Sequence, residues 1–338
     1  MPFAPELAGP HDPLLVTPPR RRGSIRRTTS IDTVRRADGA VADVEARARD
    51  LLTEPEGTAV VVGHQRLHAV LDQAAAIEAL EAEPGLPGLD RLLGRMVGPG
   101  FRQATLDLLE QLVPASLLAH LLDDWPGAQL VSGYAMQRRW TESDPATPTR
   151  IPPERFSQMS DICAGWAASG SMMVTLGRTG TIPTPLGPSI PSVEEDEDEL
   201  AWHAMPPLAA GSTRRRRRID LWVHDGSTLG FETQFRDSYA EDVKTQSAVH
   251  EYVVTGTVAR RSLVVSSINA QVRVLPWQEC PSARASADRL VGMAVSGLRP
   301  LVRSEFTGTT TCTHLNDTLR SLEDITVLAG ELERVVHP

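Results

Sequence analysis

Two hydrophobic patterns follow one another in the second half of the 338-residue chain. First come four segments rich in Val, Ile, Phe and Tyr, separated by polar residues, which is typical of an antiparallel strand meander; they cover residues 219–224, 229–237, 248–258 and 262–275. After Pro276 the apolar residues recur at helical spacing, as in Leu315, Leu319 and Leu322. The pattern therefore predicts four strands followed by two or three helices.

The first half repeats this order. Strands are predicted near 24–32, 41–50, 59–71 and 74–82, and helices near 88–110 and 114–124. Short sequence matches occur in the same order in both halves: 31–32 with 219–220, 38–39 with 225–226, 44–50 with 231–237, 60–63 with 253–256, 77–79 with 268–270, 91–94 with 289–292, 100–102 with 297–299, and 120–123 with 314–317. We interpret the halves as tandem, diverged copies of one unit.

The expected fold is therefore α+β, with two pseudo-symmetric units that each contain a four-stranded antiparallel meander followed by two or three helices. A meander with helices on one face has a second face to cover, and two units can cover each other. We expect a substrate-sized cleft between them.

Proline-rich segments suggest the domain boundaries. The predicted organisation is a disordered arm over 1–23, a first, degenerate unit over 24–140, a linker over 141–213, and a second unit over 214–338. Within the linker we predict a helix near 156–176 and a disordered acidic, proline-rich stretch over 178–213. The charge runs 194–199 and 214–218 have opposite signs, and we expect them to be solvated and to neutralise each other in part.

Composition excludes some partners and compartments. The chain has 34 basic and 43 acidic side chains and a net charge of −9, which argues against nucleic-acid and membrane surfaces as partners. Three cysteines favour reduced thiols rather than a disulfide framework. No window approaches the roughly 18 apolar residues of a membrane span, and no secretion signal follows the arginines near the N-terminus. We expect a cytoplasmic protein, with a homodimer as one option.

A hydroxyl-rich turn precedes the helix that begins near Leu315. Thr313 is the predicted N-cap, and the unpaired N–H groups there would lower the pKa of the Cys312 thiol and favour an anion. His314 would then act as acid or base. The alternative is a capped helix whose Cys312 and His314 pack in the core.

The same side chains suggest a metal site. Two thiols and two imidazoles, from Cys280, Cys312, His250 and His314, suit tetrahedral zinc. Their spacing matches no known zinc module, so no cofactor is expected and zinc remains an alternative.

Two further groups of residues are candidates. Glu232 and Arg236 are four apart on a predicted strand and share a face, so both could face the groove between the units; the alternative is a structural Arg–Asp pair, Arg236 with Asp237, that closes the end of the strand. Asp161 lies near Trp166 in the predicted middle helix, where it either lines an apolar pocket or is exposed. The sequence contains no phosphate-binding glycine loop, no Gly-x-Ser-x-Gly, no His-Glu-x-x-His and no Cys-x-x-Cys, so common nucleotide-binding, hydrolase and metalloprotease classes lack support.

The second half resembles the bacterial domain-of-unknown-function family 2889. The resemblance rests on residues 250–253, 268–270 and 290–292, on Pro276 with Cys280, and above all on the Cys-Thr-His-Leu helix start at 312–315. It extends over about 215–325 and more faintly over 24–125. Thr311 stands where the family typically has Gly. The resemblance implies a place among bacterial catabolic proteins for hydrophobic acids and aromatics, and it implies no particular reaction.

The leading functional hypothesis is a cofactor-independent lyase, isomerase or hydrolase that acts on a small hydrophobic or anionic molecule between the units. Cys312 or His314 would be the acid or base, Asp317 would orient His314, and Arg299 or Arg303 would hold an anion. His250, Glu232 and Asp161 are further catalytic candidates, with Arg236 and Trp166 as ligand-binding ones. The alternatives are a non-enzymatic ligand-binding or assembly protein and a structural zinc protein.

Overall fold

The computed structural model describes residues 8–35, 42–143, 151–185, 187–191 and 198–336. Within these ranges the protein is α+β, and its strands form one antiparallel sheet in the order β4-β3-β2-β1-β6-β7-β8, with β5 and β9 both paired to β8. The strands are β1 Ser24–Arg35, β2 Ala42–Thr53, β3 Ala59–Leu71, β4 Ile77–Glu83, β5 Ser189–Ile190, β6 Thr213–Val223, β7 Thr228–Ala240, β8 Gln246–Ala259 and β9 Val265–Val274.

Helices follow each set of strands. They are α1 Phe101–Leu108, α2 Leu117–Ser143, α3 Phe156–Met159, α4 Ser171–Thr179, α5 Leu298–Glu305, α6 Thr313–Ser321 and α7 Ile325–Val336. The longest described 3-10 segments are Leu89–Leu92 and Cys280–Leu290. No helix within the described ranges is both long enough and apolar enough to cross a bilayer.

The two halves repeat the same local geometry. The turns that join β3 to β4 and β8 to β9 each hold a non-glycine residue with positive φ, Ala75 at 62° and Leu263 at 51°. Gly94 and Gly292, also at positive φ, donate their N–H groups to the first residues of β4 and β9. Both α1 and α5 have eight residues and begin after a left-handed glycine. The predicted α+β fold with two pseudo-symmetric units is therefore confirmed.

The structure changes the pairing of one internal sequence match, 60–63 with 253–256. Gly63 lies opposite Asp50, and His250 lies opposite Asp237. Gly63 therefore occupies the position of His250 and does not correspond to Gly256. A short run of valines in both strands made the six-residue shift look like a match.

The arginine run 214–218 lies inside β6, and each of its five residues is at most 7% exposed. The expectation that this run is solvated was wrong. β1 and β6 pair in the middle of the sheet and are covered on both faces. A buried guanidinium is stable only with internal acceptors, and Asp32, Asp124 and Asp237 supply several of them. Of the acidic run, 194–197 lie outside the described residues, and Asp198 bonds Arg20.

The face of the sheet opposite α2 is covered by extended chain. Backbone carbonyl oxygens of Leu200 and Pro206 accept hydrogen bonds from Arg49 and Arg214, and Trp202 is buried. Residues 8–22 also contribute, since the Leu14 oxygen accepts from Arg236 at 2.5 Å. These segments belong to the stretches predicted to be disordered, whose remaining residues 1–7, 186 and 192–197 lie outside the described ranges. The buried arginines need hydrogen-bond acceptors, and these segments supply them. This need explains why the described parts of the segments are ordered, contrary to the prediction.

The predicted helix near 156–176 is divided into α3, a 3-10 turn at Ala164–Trp166 and α4. Asp161 breaks it by adopting a φ of 60°, which a helix does not allow. The predicted helix near 88–110 is likewise a 3-10 turn followed by α1, and the helix near 114–124 extends as α2 to Ser143.

The two halves join through strand pairing rather than across a cleft. β1 and β6 are hydrogen-bonded over ten residue pairs, from Ser24 opposite Trp222 to Thr33 opposite Thr213. Each half has its own apolar core between the sheet and its helices. The predicted domain limits stay a prediction, since one sheet runs through both units.

Candidate functional site

Two histidines and an aspartate meet in the second half. Asp237 of β7 lies opposite His250 of β8, and His250 Nδ1 is 3.0 Å from Asp237 Oδ2. His314, the second residue of α6, places its Nδ1 3.6 Å from the same oxygen. The two imidazole rings stack with centroids 3.5 Å apart. Both rings therefore direct Nδ1 toward one carboxylate and Nε2 away from it.

Arg215 holds the carboxylate of Asp237 in place. Its Nε and Nη2 donate to the two oxygens of Asp237 at 2.8 and 3.1 Å, and its Nη1 donates to Asp124 and Asp317. Nη2 also lies 3.4 Å from His314 Nδ1. Bidentate arginine pairing fixes the plane of a carboxylate, so Asp237 is a rigid support for His250, and the same guanidinium reaches His314.

The electrostatics set the protonation states. Burial acts on Asp237 to raise its pKa, but Arg215 and the hydrogen bond from His250 outweigh it, and the net pKa is lowered. Burial, followed by the neighbouring His250, lowers the pKa of His314 to about 3. His314 is thus neutral at neutral pH. Its side chain is 12% exposed and that of His250 is 11% exposed, so both reach the surface.

The beginning of α6 positions His314 but does not activate Cys312. The N-cap is Cys312 rather than the predicted Thr313, and its carbonyl oxygen accepts from the Asn316 N–H at 2.8 Å. Burial raises the pKa of the Cys312 thiol to about 11. The predicted lowering by the helix N-terminus was wrong, because the thiol packs in the apolar core, where desolvation opposes the thiolate.

The three cysteines are all free and buried. Burial also raises the pKa of Cys163 and that of Cys280, and the Tyr252 hydroxyl shares their surroundings. In the described part of the chain, only Asp237, His250 and His314 place three ligand-type atoms within 4.8 Å of one another. The proposed zinc set with Cys280 and Cys312 is therefore not assembled.

Asp237, His250 and His314 have the spacing of a metal site, yet the neighbouring Arg215 disfavours a cation there. Arg215 occupies both oxygens of Asp237 and approaches His314 Nδ1. An ion bound roughly 2 Å from these atoms would lie beside a guanidinium charge in a desolvated site, which is unfavourable. The residues present thus fit a metal poorly.

Other predicted residues serve the ion-pair network. Asp317 accepts from Arg215 and Arg320, both at 2.7 Å, so Asp237 and not Asp317 is the carboxylate nearest His314. Arg299 bonds Asp324 and Glu323. Arg303 is exposed and contacts Gln103.

Glu232 and Arg236 do not act together. Glu232 bonds Arg218, whereas the buried Arg236 bonds Glu251 at 2.8 Å and the Leu14 carbonyl oxygen. Each has its own structural partner in the described residues, so the two side chains do not form one ion pair.

Asp161 and Trp166 lie in the turn between α3 and α4. Asp161 is exposed and caps the Ala168 N–H at 2.9 Å. Trp166 is half-buried and packs against the core of the second half. The structure brings neither of them to Asp237 and its histidines.

Sequence reasoning missed Arg215 and the part that Asp237 plays. The arginine run suggested a solvated patch, although alternation along a strand would have placed Arg215 and Arg217 on the helical face. A second histidine site also escaped it: His120 lies between Thr29 Oγ1 and Asp324, and all three are at most 3% exposed. The succession of hydroxyl, imidazole and carboxylate groups resembles a catalytic triad, but the burial of all three residues favours a structural role.

Two surface cavities of about 550 and 710 Å³ lie elsewhere. One is lined by residues of β9 and of the following 3-10 segment, including Arg273 and Arg284. The other lies at hairpin ends beside Arg260 and Glu333. Neither contains a predicted site residue.

Comparison with known proteins gives one family. The model for DUF2889, described as a protein of unknown function, matches residues 213–328. The matched segment runs from β6 into α7 and includes Asp237, His250 and His314. No curated protein and no solved structure matches the chain.

Proposed function

We propose that the protein is a cofactor-independent enzyme that transfers protons on a small hydrophobic carbonyl compound, with His250 and His314 as its acid–base pair. The observation that carries this proposal is the stacked pair of imidazole rings beside the Asp237–Arg215 ion pair, with His250 Nδ1 bonded to Asp237 Oδ2 and His314 Nδ1 3.4 Å from Arg215 Nη2. This arrangement fixes the rings and leaves both Nε2 atoms free of Asp237.

The partners of each ring imply opposite tautomers. Asp237 is ionised and only accepts, so His250 donates from Nδ1, and in the proposed base form its Nε2 carries the lone pair. Arg215 only donates, so the neutral His314 accepts at Nδ1 and carries its proton on Nε2. One ring is therefore a base, and its neighbour is a neutral hydrogen-bond donor.

A base beside a neutral donor suits proton abstraction next to a carbonyl group. His250 Nε2 would take the proton while the His314 N–H stabilises the developing enolate oxygen. Asp237 would stabilise the imidazolium formed on His250. This chemistry belongs to isomerases and lyases, and it is favoured over thiol-dependent hydrolysis because burial keeps Cys312 protonated.

The difference between the halves supports a single site. Asp50 of the first half keeps its arginine, since Arg27 donates to both of its oxygens. Gly63 stands opposite Asp50 where His250 stands opposite Asp237. On this interpretation the units are tandem, diverged copies, and the first copy keeps the support but lacks the base.

Solvent exchange tests the proposal for any net reaction that begins with proton abstraction at carbon. Pools of small apolar ketones, aldehydes and acids are incubated with the protein in D2O, and deuterium at carbon is measured by NMR and mass spectrometry. We expect exchange with the wild type and a loss of about 100-fold or more in His250→Asn and His314→Asn. His64→Asn, at an exposed histidine, is the matched control.

The outcomes separate the alternatives. Wild-type exchange that His250→Asn leaves unchanged contradicts the assignment. Thermal stabilisation by a compound that undergoes no exchange would favour a ligand-binding protein instead.

A further inference from the structure

Like charges lie side by side on the face of the first half that points away from α2. Arg47 of β2 is directly opposite Arg66 of β3, and directly opposite side chains share one face with their Cβ atoms about 5 Å apart. Arg49, two residues further along β2, lies on the same face. Like charges in such positions destabilise a sheet. Arg47, Arg49 and Arg66 form what we call the basic patch.

The carboxylates beside the Arg47–Arg66 pair do not neutralise it. Glu45 Oε2 is 3.8 Å from Arg47 Nη2, which is too long for a hydrogen bond. Glu83 of β4 is opposite Arg66 in the strand register, yet the two side chains form no ion pair within the described residues. Positive charge therefore remains in excess at this pair of arginines.

Arg49 shows the same imbalance. Asp198 acts to raise its pKa, but both oxygens of Asp198 already accept hydrogen bonds from Arg20, at 2.7 and 3.0 Å. Burial, together with Arg20 and Arg26, lowers the pKa of the Arg49 guanidinium to about 10. A lowered arginine pKa means that its surroundings disfavour the charged form. An anion beside Arg49 would supply the missing negative charge.

The covering chain leaves one side of the basic patch open. The carbonyl oxygens of Leu200 and Ala204 accept from Arg49 at 2.6 Å and from Arg47 at 3.3 Å. The Nε atoms of both arginines are buried and have no acceptor among the described residues. Arg66, on the next strand, is exposed. The described covering chain thus contacts the β2 side of the patch, and the β3 side is accessible to a ligand.

We propose that the basic patch binds a multivalent oxyanion of the phosphate type, held between Arg47 and Arg66 and completed by Arg49. A guanidinium matches two oxygens of a phosphate group at once, and two of them on adjacent strands can hold one tetrahedral anion from two sides. Three positive charges suit an anion with two or more negative charges better than a single carboxylate.

The proposed anion site does not depend on the proposed acid–base chemistry. The chain has a net charge of −9, so its overall field repels anions and attraction must come from the local cluster. The basic patch belongs to the first half, whereas His250 and His314 belong to the second. Binding there can be measured without any turnover.

Isothermal titration calorimetry at constant ionic strength tests the site. Inorganic phosphate, pyrophosphate and a simple phosphate monoester distinguish a free anion from a phosphorylated small molecule, and acetate tests a monocarboxylate. We expect saturable binding of about one pyrophosphate per chain, weakened about tenfold or more by Arg47→Gln and by Arg66→Gln. Arg178→Gln, at an exposed arginine in α4, removes the same charge elsewhere and should bind like the wild type.

Thermal unfolding gives a second test with the opposite sign in the absence of the anion. Without phosphate and at low salt, Arg66→Gln relieves the repulsion of Arg47, so its melting temperature should exceed that of the wild type. Phosphate should then raise the melting temperature of the wild type more than that of Arg66→Gln. Because Arg66 is exposed, the variant should fold.

Three outcomes overturn the proposal. The first is a wild type that shows no saturable binding of phosphate or pyrophosphate. The second is binding that Arg178→Gln weakens as much as Arg66→Gln, which would indicate attraction by overall charge alone. The third is acetate binding as tight as phosphate binding, which would reject a multivalent anion as the ligand.

Discussion

Arg26 of the first half donates from Nε and Nη2 to the carboxylate of Asp220 in the second half, at 2.6 and 3.2 Å. The reverse exchange joins Arg214 of the second half to Asp32 of the first, with both bonds at 2.7 Å. All four residues are at most 5% exposed. These two pairs cross the β1–β6 boundary in opposite directions and tie the halves together in addition to the strand pairing.

Removal of either carboxylate charge is expected to destabilise the whole sheet. Asp32→Asn leaves Arg214 buried without its counter-ion, and Asp220→Asn does so for Arg26. We expect each to lower the free energy of unfolding by about 3–5 kcal/mol. Asp220→Asn should cost more because Arg218 also pairs with Asp220. Urea unfolding measures both, with the exposed Asp90→Asn as control. A loss below about 1 kcal/mol would contradict this role.

Gly127 allows α2 to pass close to the ion-pair network. A Cβ there would lie 2.5 Å from Asp317 Oδ2 and closer still to the Arg215 guanidinium. Gly127→Ala must displace that buried pair, and we expect a loss of about 2–4 kcal/mol. Gly133→Ala in the same helix is the matched control. It meets no atom within 4 Å and should be neutral or stabilise by up to about 1 kcal/mol. Equal effects of the two substitutions would refute the argument.

Buried neutral histidines predict a loss of stability in mild acid. Burial, with Arg49, Arg214 and Arg47, lowers the pKa of His203 to about 3, whereas an unfolded histidine titrates near 6.5. Between these values only the unfolded chain binds the proton. The free energy of unfolding therefore falls as pH drops from about 6.5 to 3, by up to about 1.4 kcal/mol per pH unit for each such group.

Urea unfolding at several pH values between 7 and 4 measures this slope. His203→Gln should reduce the slope by the equivalent of about one bound proton, and the exposed His64→Gln should leave the slope unchanged. Below about pH 4 a second loss begins, because the pKa values of Asp237 and Asp324 are lowered in the folded state. A slope that His203→Gln leaves unchanged would show that His203 is not neutral when folded.

Hydrophobic periodicity predicted the strands because their buried faces repeat every two residues. It placed β3 at its observed limits, 59–71. It missed the first six residues of β6 because an arginine run does not look like a central strand. Carboxylates elsewhere in the chain, such as Asp32, Asp124 and Asp237, make that run buriable, and one sequence does not show which carboxylates meet which arginines.

The sequence predicted the candidate site only in part, because one sequence does not show which carboxylate lies beside which side chain. His250 and His314 were singled out as chemistry-bearing residues, but their supporting group was assigned to Asp317. The carboxylate that joins them, Asp237, is fixed by the register of β7 on β8. For Cys312 the sequence left two alternatives, a thiol activated by the helix terminus and a thiol packed in the core, and the structure has the packed thiol, whose pKa is raised by burial.

The cysteines give a test that separates thiol from imidazole chemistry. Cys163, Cys280 and Cys312 are buried, and burial raises the pKa of each. Because only thiolates react quickly, we expect native protein to react with Ellman's reagent far more slowly than a free thiol at pH 8. Unfolding in guanidinium chloride should release three thiols per chain. Cys312→Ser should leave any proton-exchange activity within about threefold of wild type, whereas His250→Asn should remove it. A fast-reacting thiol in the native protein that disappears in Cys312→Ser would show an activated cysteine and would return the thiolate mechanism to first place.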